Sequence, residues 1–366
     1  MTAAAIFLAA LLAIGTRGGA QSTTDEITKG PVIQNVQRDR ATLTFTTRKT
    51  VGRIQKEGGS EIPIKEEIHH QVEMTGLAAG TRYRYTLGAY GPDAGGMFST
   101  PPATEQTPFF FVVFGDTRTR HDVHKRVADR ILEEHPEFVL HTGDLVASGN
   151  AAGDWDRFFE IEKDLLRNTP FYPTPGNHEQ NAAVFFRYFS FPGGDGHHYS
   201  FDWGGAHFAV IDTNEIGVTP QEKAAFLQAQ ADWLQADLAR NRRPLVFVWM
   251  HAPLYTGIPD RRAGAAKLAA VIEPVLVKGR VAAVFAGHDH NYQHHVHSGI
   301  DYLVAGGGGA PLYELTPTPE TMVKGVVTDN YVRVRVNGAS AAIEAVDLEG
   351  KVLDTFEIRA RTASGQ

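Results

Sequence analysis

From Phe109 onward the chain repeats one pattern: an apolar run of strand length, a glycine or polar break, then a stretch with helical spacing. The runs are Phe109 to Phe114, Phe138 to His141, Phe208 to Ile211, Leu245 to Met250 and Val281 to Phe285. One intervening helix carries clear start signals, because Thr219-Pro220-Gln221-Glu222 combines a capping box with proline at the first helical position. Leu227, Ala231, Leu234 and Leu238 then recur at helical spacing as its buried stripe. After Gly306 to Gly309 the pattern returns to strands, Tyr331 to Val336 and Ala341 to Val346, with Asn337-Gly338 as a hairpin signal. The layout predicts an α/β domain over residues 109–360, with the last strands completing one of its sheets.

The preceding segment reads differently. Between residues 27 and 100, short alternating runs such as Ala41 to Thr46 and Arg82 to Leu87 are separated by turn residues, which predicts a small β-sandwich. Within it, Gly76-Leu77-Ala78-Ala79-Gly80-Thr81-Arg82-Tyr83-Arg84-Tyr85 resembles the tyrosine-corner segment of fibronectin type III domains. The same residues also fit a plain strand with Tyr83 and Tyr85 on one face. Residues 101–108, rich in proline and small polar side chains, have the composition of an interdomain linker.

Composition narrows the picture. A chain of 366 residues that is 42% hydrophobic can bury a sizeable core. The formal charge of −7, without any Lys/Arg cluster, argues against a nucleic-acid-binding surface, so recognition of a phosphate has to be local. With no cysteine, a metal can be held only by oxygen and nitrogen. Ala3 to Ile14 is an apolar run of signal-peptide length, followed by small residues up to Ala20, although no Lys or Arg precedes it. Residues 1–20 are therefore expected to be a cleaved signal peptide, too short to span a bilayer, which places the mature chain in a secreted or periplasmic setting without a membrane span.

The residues just after the apolar runs carry the chemistry: Gly115-Asp116, Gly143-Asp144, Gly176-Asn177-His178-Glu179, His251 and Gly287-His288-Asp289-His290. In α/β folds the carboxyl ends of strands are where sites assemble, so these groups can converge from distant parts of the chain. Carboxylate, amide oxygen and imidazole together suit hard-to-borderline divalent ions. Singly, a Gly-Asp is a turn and a histidine after a strand is a hydrogen-bonded structural residue. In this order, the five blocks resemble the metallophosphoesterase (calcineurin-like) superfamily. With the fibronectin-like segment in front and Gly287-His288-Asp289-His290-Asn291-Tyr292 behind, the resemblance is greatest to purple acid phosphatase-like proteins.

The resemblance implies a fold of β-sheets flanked by helices and a pair of metal ions, divalent or mixed-valence, drawn from Fe, Mn or Zn. It implies that Asp144 bridges them, that Asp116 and His290 complete the first site, and that Asn177, His251 and His288 complete the second. It further implies hydrolysis of a small phosphate ester by metal-activated hydroxide, as in acid phosphatases. Alternatives are a diesterase for nucleotides or phospholipid headgroups, and a binding module with a degenerate centre. In purple enzymes a tyrosine stands three residues after the bridging aspartate, but here that residue is Ala147. Other family members begin with Asp-x-His, but this chain has Asp116-Thr117-Arg118, and arginine does not ligate metals. His124 is the candidate replacement ligand, since in a helix from Asp122 to Glu133 it shares the inward stripe of Val127, Ala128 and Ile131. His121 is expected in the preceding turn. Arg118 is then free to hold a phosphate oxygen, with a surface ion pair as its other reading. His178 is placed, by the resemblance, over the substrate as the proton donor to the leaving oxygen, against a structural bond to backbone.

Overall fold

The computed structural model describes residues 4–7, 26–55, 61–91, 94–318 and 320–361. The expected signal peptide therefore lies, apart from the short strand Ala4–Phe7, outside the described residues.

The expected strands of the second half appear close to their predicted bounds, as Phe109–Phe114, Phe138–His141, Ala206–Ile211, Leu245–Trp249 and Ala283–Ala286. They divide between two mixed sheets. A six-stranded sheet has Phe109–Phe114 next to Phe138–His141 and Phe171–Pro173 on one side, and the C-terminal strands Asn330–Asn337, Ser340–Asp347 and Val352–Arg359 on the other. A seven-stranded sheet contains Ala206–Ile211, Leu245–Trp249, Ala283–Ala286 and Ile300–Ala305 as parallel neighbours.

Strand period 2 explains how the sheets stack. Phe111, Val113, Phe138 and Leu140 point from the six-stranded sheet into an aromatic core shared with Phe208, Phe247, Trp249 and Phe285 of the other. The Phe111 and Phe208 rings meet edge to face with centroids 5.2 Å apart. The alternate residues Phe110, Val112, Phe114 and Val139 face outward, onto helices α1 (His121–Glu134) and α2 (Ala152–Leu166). Across the molecule, Ala209, Ile211, Val246, Val248 and Val284 meet α4 (Pro220–Arg240) and α5 (Arg262–Lys278), the short α3 being Ala183–Tyr188. Four layers result, helix, sheet, sheet, helix, so the central strands are apolar on both faces. The start of α4 is built as expected: Thr219 Oγ1 accepts from Glu222 N at 3.2 Å and Pro220 opens the helix. His121, expected in a turn, is instead the first residue of α1.

The first half forms two three-stranded sheets, Glu26–Gln34 with Arg40–Gln55 and Glu61–Thr75, and Ala4–Phe7 with Arg82–Thr86 and Gly95–Ser99. Ala78 N–H donates to Tyr83 Oη at 2.7 Å. These sheets are fastened to the rest of the molecule by buried bonds, including Val36 N to Tyr172 Oη at 3.2 Å and Thr44 Oγ1 to the Tyr188 carbonyl at 3.0 Å. The stretch expected to be a linker is held as well. Pro101 and Pro102 are buried, and Glu105 forms an ion pair with Arg243.

Candidate metal centre

Both sheets run their parallel strands toward the same edge, and the predicted donors leave from those ends. Asp116 follows Phe109–Phe114, Asp144 follows Phe138–His141, and His251 and His288 follow Leu245–Trp249 and Ala283–Ala286. The turn at each of three donors is left-handed, with φ of 58° at Asp116, 56° at Asp144 and 70° at His288. Such conformations are uncommon for non-glycine residues and persist only where surrounding structure enforces them, as at functional sites. The adjoining glycines allow the close approach. A side chain at Gly287 would run into the Asp116 carboxylate, and one at Gly176 into that of Asp144.

Donor atoms crowd around His251. Its Nδ1 bonds to the Thr142 carbonyl at 2.8 Å, and since a carbonyl only accepts, Nδ1 carries the proton and Nε2 presents a lone pair. Facing that lone pair are Asn177 Oδ1 at 3.0 Å, His288 Nδ1 at 3.1 Å and Asp144 Oδ1 at 3.4 Å. Metal bonds of ~2.1 Å produce donor-to-donor edges of ~3.0 to ~3.4 Å in octahedral and tetrahedral shells, so these separations fit one ion. On the other side of Asp144, His290 Nε2 stands 3.5 Å from Asp116 Oδ1, and His290 Nδ1–H is committed to the Pro311 carbonyl at 2.6 Å. Ligand atoms of Asp116, Asp144 and His251 all lie within 4.8 Å of one another, and all three residues are buried.

The electrostatics suit a cation. Burial, assisted by the Asp144 charge, pushes the Asp116 carboxyl well above the usual carboxylate range. Burial and then the nearby His251 push the His288 imidazole down to about 2, and burial chiefly brings His290 down to about 4. Neutral imidazoles beside two buried carboxylates form an acceptor-rich cavity, which is the environment a divalent ion neutralises.

Arg118 lies against this cavity, with Nε 3.4 Å from Asp144 Oδ2, and that buried Nε has no hydrogen-bond partner among the described residues. His178 donates Nδ1–H to the Ala147 carbonyl at 2.8 Å, which leaves Nε2 on the cavity side, 3.9 Å from Asp144 Oδ2. His124 stands elsewhere. It does face inward from α1, but its Nε2 meets Glu162 Oε1 of α2 at 2.7 Å, and the ring is not among the groups brought together at Asp116. The expectation of a replacement ligand is corrected by this partner: a buried carboxylate holds the histidine between two helices. His294, to which the sequence assigns no role, likewise sits between Asp301 and Asp354, at 2.9 Å from each.

Several supporting residues escaped sequence reasoning. Glu179 is fully buried and accepts the backbone N–H groups of Asp144 at 2.9 Å, Leu145 at 2.8 Å and Val146 at 3.3 Å, so it fixes the loop that carries Asp144. Asp289, between two donors, takes Arg261 Nη1 at 2.6 Å and Gln293 Nε2 at 2.9 Å. Arg261 also donates to the His288 carbonyl at 2.5 Å and lies over Tyr313, whose ring stacks on His290 at 4.0 Å. Glu179 and Asp289 sit inside the motif blocks, but nothing in sequence marks Arg261 or Tyr313.

Residues 111–292 match the family model of calcineurin-like phosphoesterases, and this span contains all the crowded donors. The chain carries a calcineurin-like phosphoesterase domain. It is 30% identical over 244 residues to purple acid phosphatase 21 of Arabidopsis thaliana, covering 62% of this chain and 53% of that protein. It is 26% identical over 254 residues to purple acid phosphatase 1 of Ipomoea batatas, covering 62% and 51%. The chain thus spans about half the length of the curated relatives it matches. In fold, the purple acid phosphatase PPD1 from yellow lupin seeds is similar with a TM-score of 0.67 at 17% identity, over 91% of this chain and 73% of that one. The structure of PhoD is similar with a TM-score of 0.60 at 13% identity, over 95% of each chain. The phosphoesterase domain thus keeps the layered arrangement of those structures, and no helix among its described residues is long and apolar enough to cross a membrane.

Proposed function

We propose that the domain is a metal-dependent hydrolase of phosphate esters, acting as an acid phosphatase does. The observation that carries this reading is the set of acceptors, Asn177 Oδ1, His288 Nδ1 and Asp144 Oδ1, turned onto the His251 Nε2 lone pair at coordination-edge distances. In this reading Asp144 would be shared, Asp116 and His290 would hold one ion, and Asn177, His251 and His288 would hold the other. Two ions bound there would supply Lewis acidity to the phosphoryl oxygens and a water of lowered pKa. The chain's own residues do the remainder. The Arg118 guanidinium, set beside Asp144 through its Nε, holds a phosphoryl oxygen. His178, oriented by the Ala147 carbonyl, would donate from Nε2 to the departing oxygen when its ring is in the imidazolium form. The names of the relatives support a phosphatase, and the donor set accepts Fe, Mn or Zn.

The surrounding organisation belongs to the same proposal: a cleaved export signal over residues 1–20, a fibronectin type III-like module over 27–100, a short connection over 101–108 and the catalytic region over 109–360, in a secreted or periplasmic protein. The apolar run from Ala3 to Ile14 supports the first, and the Ala78 to Tyr83 bond the second. The test is to strip the protein with chelator, restore Mn(II), Fe(II) or Zn(II) separately, and assay monoesters and diesters. Turnover should return with metal and favour monoesters. No turnover with any ion would overturn the reading.

A further inference from the structure

Beside the donor cluster lies a cavity of about 240 Å³ with His288 in its wall. Most of its inner wall is apolar, from Leu227 of α4, Ala252 and Pro253 just after His251, and Leu268 of α5, with the hydroxyls of Thr213 and Thr256 as uncharged polar groups. The charged groups at its margin cancel. Arg261 is paired with Asp289 at 2.6 Å and Glu215 with Lys223 at 3.9 Å, while the exposed Asp260 and Lys267 are of opposite sign. The cavity is smaller than the ~300 to ~1,000 Å³ typical of sites for drug-sized ligands, so it suits one ring or a short branched chain and not a nucleotide.

We propose that this cavity receives the alcohol part of the ester and selects an uncharged, apolar group about the size of one phenyl ring. The inference rests on the reading of the cluster as a phosphoryl-binding metal centre. A phosphoryl group held at His288 places its ester substituent beside a wall that His288 itself forms. Burying that substituent against Leu227, Pro253 and Leu268 removes apolar surface from water, whereas a charged substituent would lose hydration and gain no net opposite charge.

Gly264 provides a clean way to fill the space. It lines the cavity from within α5, and a Cβ built on it meets no atom within 4 Å, so Gly264→Phe has room for its first side-chain atom, adds a ring at the cavity wall and removes a glycine from a helix. The experiment is calorimetric binding of two non-hydrolysable probes, 2-phenylethylphosphonate and ethylphosphonate, to Mn(II)-loaded protein. The wild type should bind the phenyl compound about tenfold or more tightly. Gly264→Phe should abolish that preference and leave ethylphosphonate binding unchanged. Equal affinity of the two probes in the wild type, or a preference that survives Gly264→Phe, overturns the cavity assignment alone. Failure of the metal-loaded protein to bind ethylphosphonate or orthophosphate overturns the phosphoryl centre, and the cavity assignment with it.

Discussion

The Nδ1 of His178 bonds to the carbonyl of Ala147 at 2.8 Å. Because the carbonyl can only accept, Nδ1 keeps a proton and Nε2 stays turned toward Asp144, 3.9 Å away. The residue that stands where purple enzymes carry a tyrosine thus orients a histidine through its backbone.

If His178 protonates the leaving oxygen, its loss should matter in proportion to how badly the leaving group needs a proton. His178→Ala should slow alkyl phosphate esters by roughly 10² or more, and activated aryl esters far less. Bound metal should not change. Equal losses for both ester types would leave His178 as a positioning group.

Asp144 lies between the two donor groups, 3.4 Å from His251 Nε2 and within 4.8 Å of Asp116. Asp144→Ala should therefore empty both sites, whereas Asn177→Ala should chiefly weaken the one built on His251. Elemental analysis after dialysis distinguishes them: about zero ions per chain against about one. Two retained ions in Asp144→Ala would contradict a shared carboxylate.

Glu179 spends both carboxylate oxygens on the Asp144 to Val146 backbone. In Glu179→Gln one oxygen becomes an amide donor facing backbone donors, leaving buried N–H groups unsatisfied at roughly 1–3 kcal/mol each. A lowered Tm in the metal-free protein, together with weaker metal binding, is the expected result. Glu179→Gln with unchanged melting and affinity would show that the loop holds itself.

His124→Ala should lower stability and leave metal stoichiometry intact, because the histidine is partnered by Glu162 and truncation would strand a buried carboxylate whose Oε2 already lacks a partner among the described residues. Thermal melting and metal analysis of the same sample test both halves. A loss of one ion would restore His124 as a ligand.

A pH-dependent contribution comes from His207, held between Asp202 and Asp237 at 2.7 Å from each, with Arg243 bonded to Asp202 at 3.0 Å. Burial works against the charged ring, but the two carboxylates outweigh it and raise His207 to about 9. Since the folded value exceeds the unfolded ~6.5, the contribution is complete below ~6.5 and disappears as pH rises through ~9. His207→Gln should cost on the order of 3 kcal/mol more at ~pH 6 than at ~pH 10, read from denaturant curves of both proteins. A difference that stays constant across that range would refute the linkage.

The donor types and the strand ends that carry them were legible in the chain alone, because both depend on local properties. An apolar run such as Phe109 to Phe114 announces a strand by itself, and the Gly-Asp after it announces a break. The inward face of His124 was legible too, since helical spacing sets it. Only the tertiary structure decided what His124 meets there, as Glu162 lies on another helix 38 residues away. The same holds for the pairing of His288 N–H with Asp116, across 172 residues, and for the cavity between α4 and α5. Periodicity states which way a side chain faces, and only the packing of distant elements supplies the partner it faces.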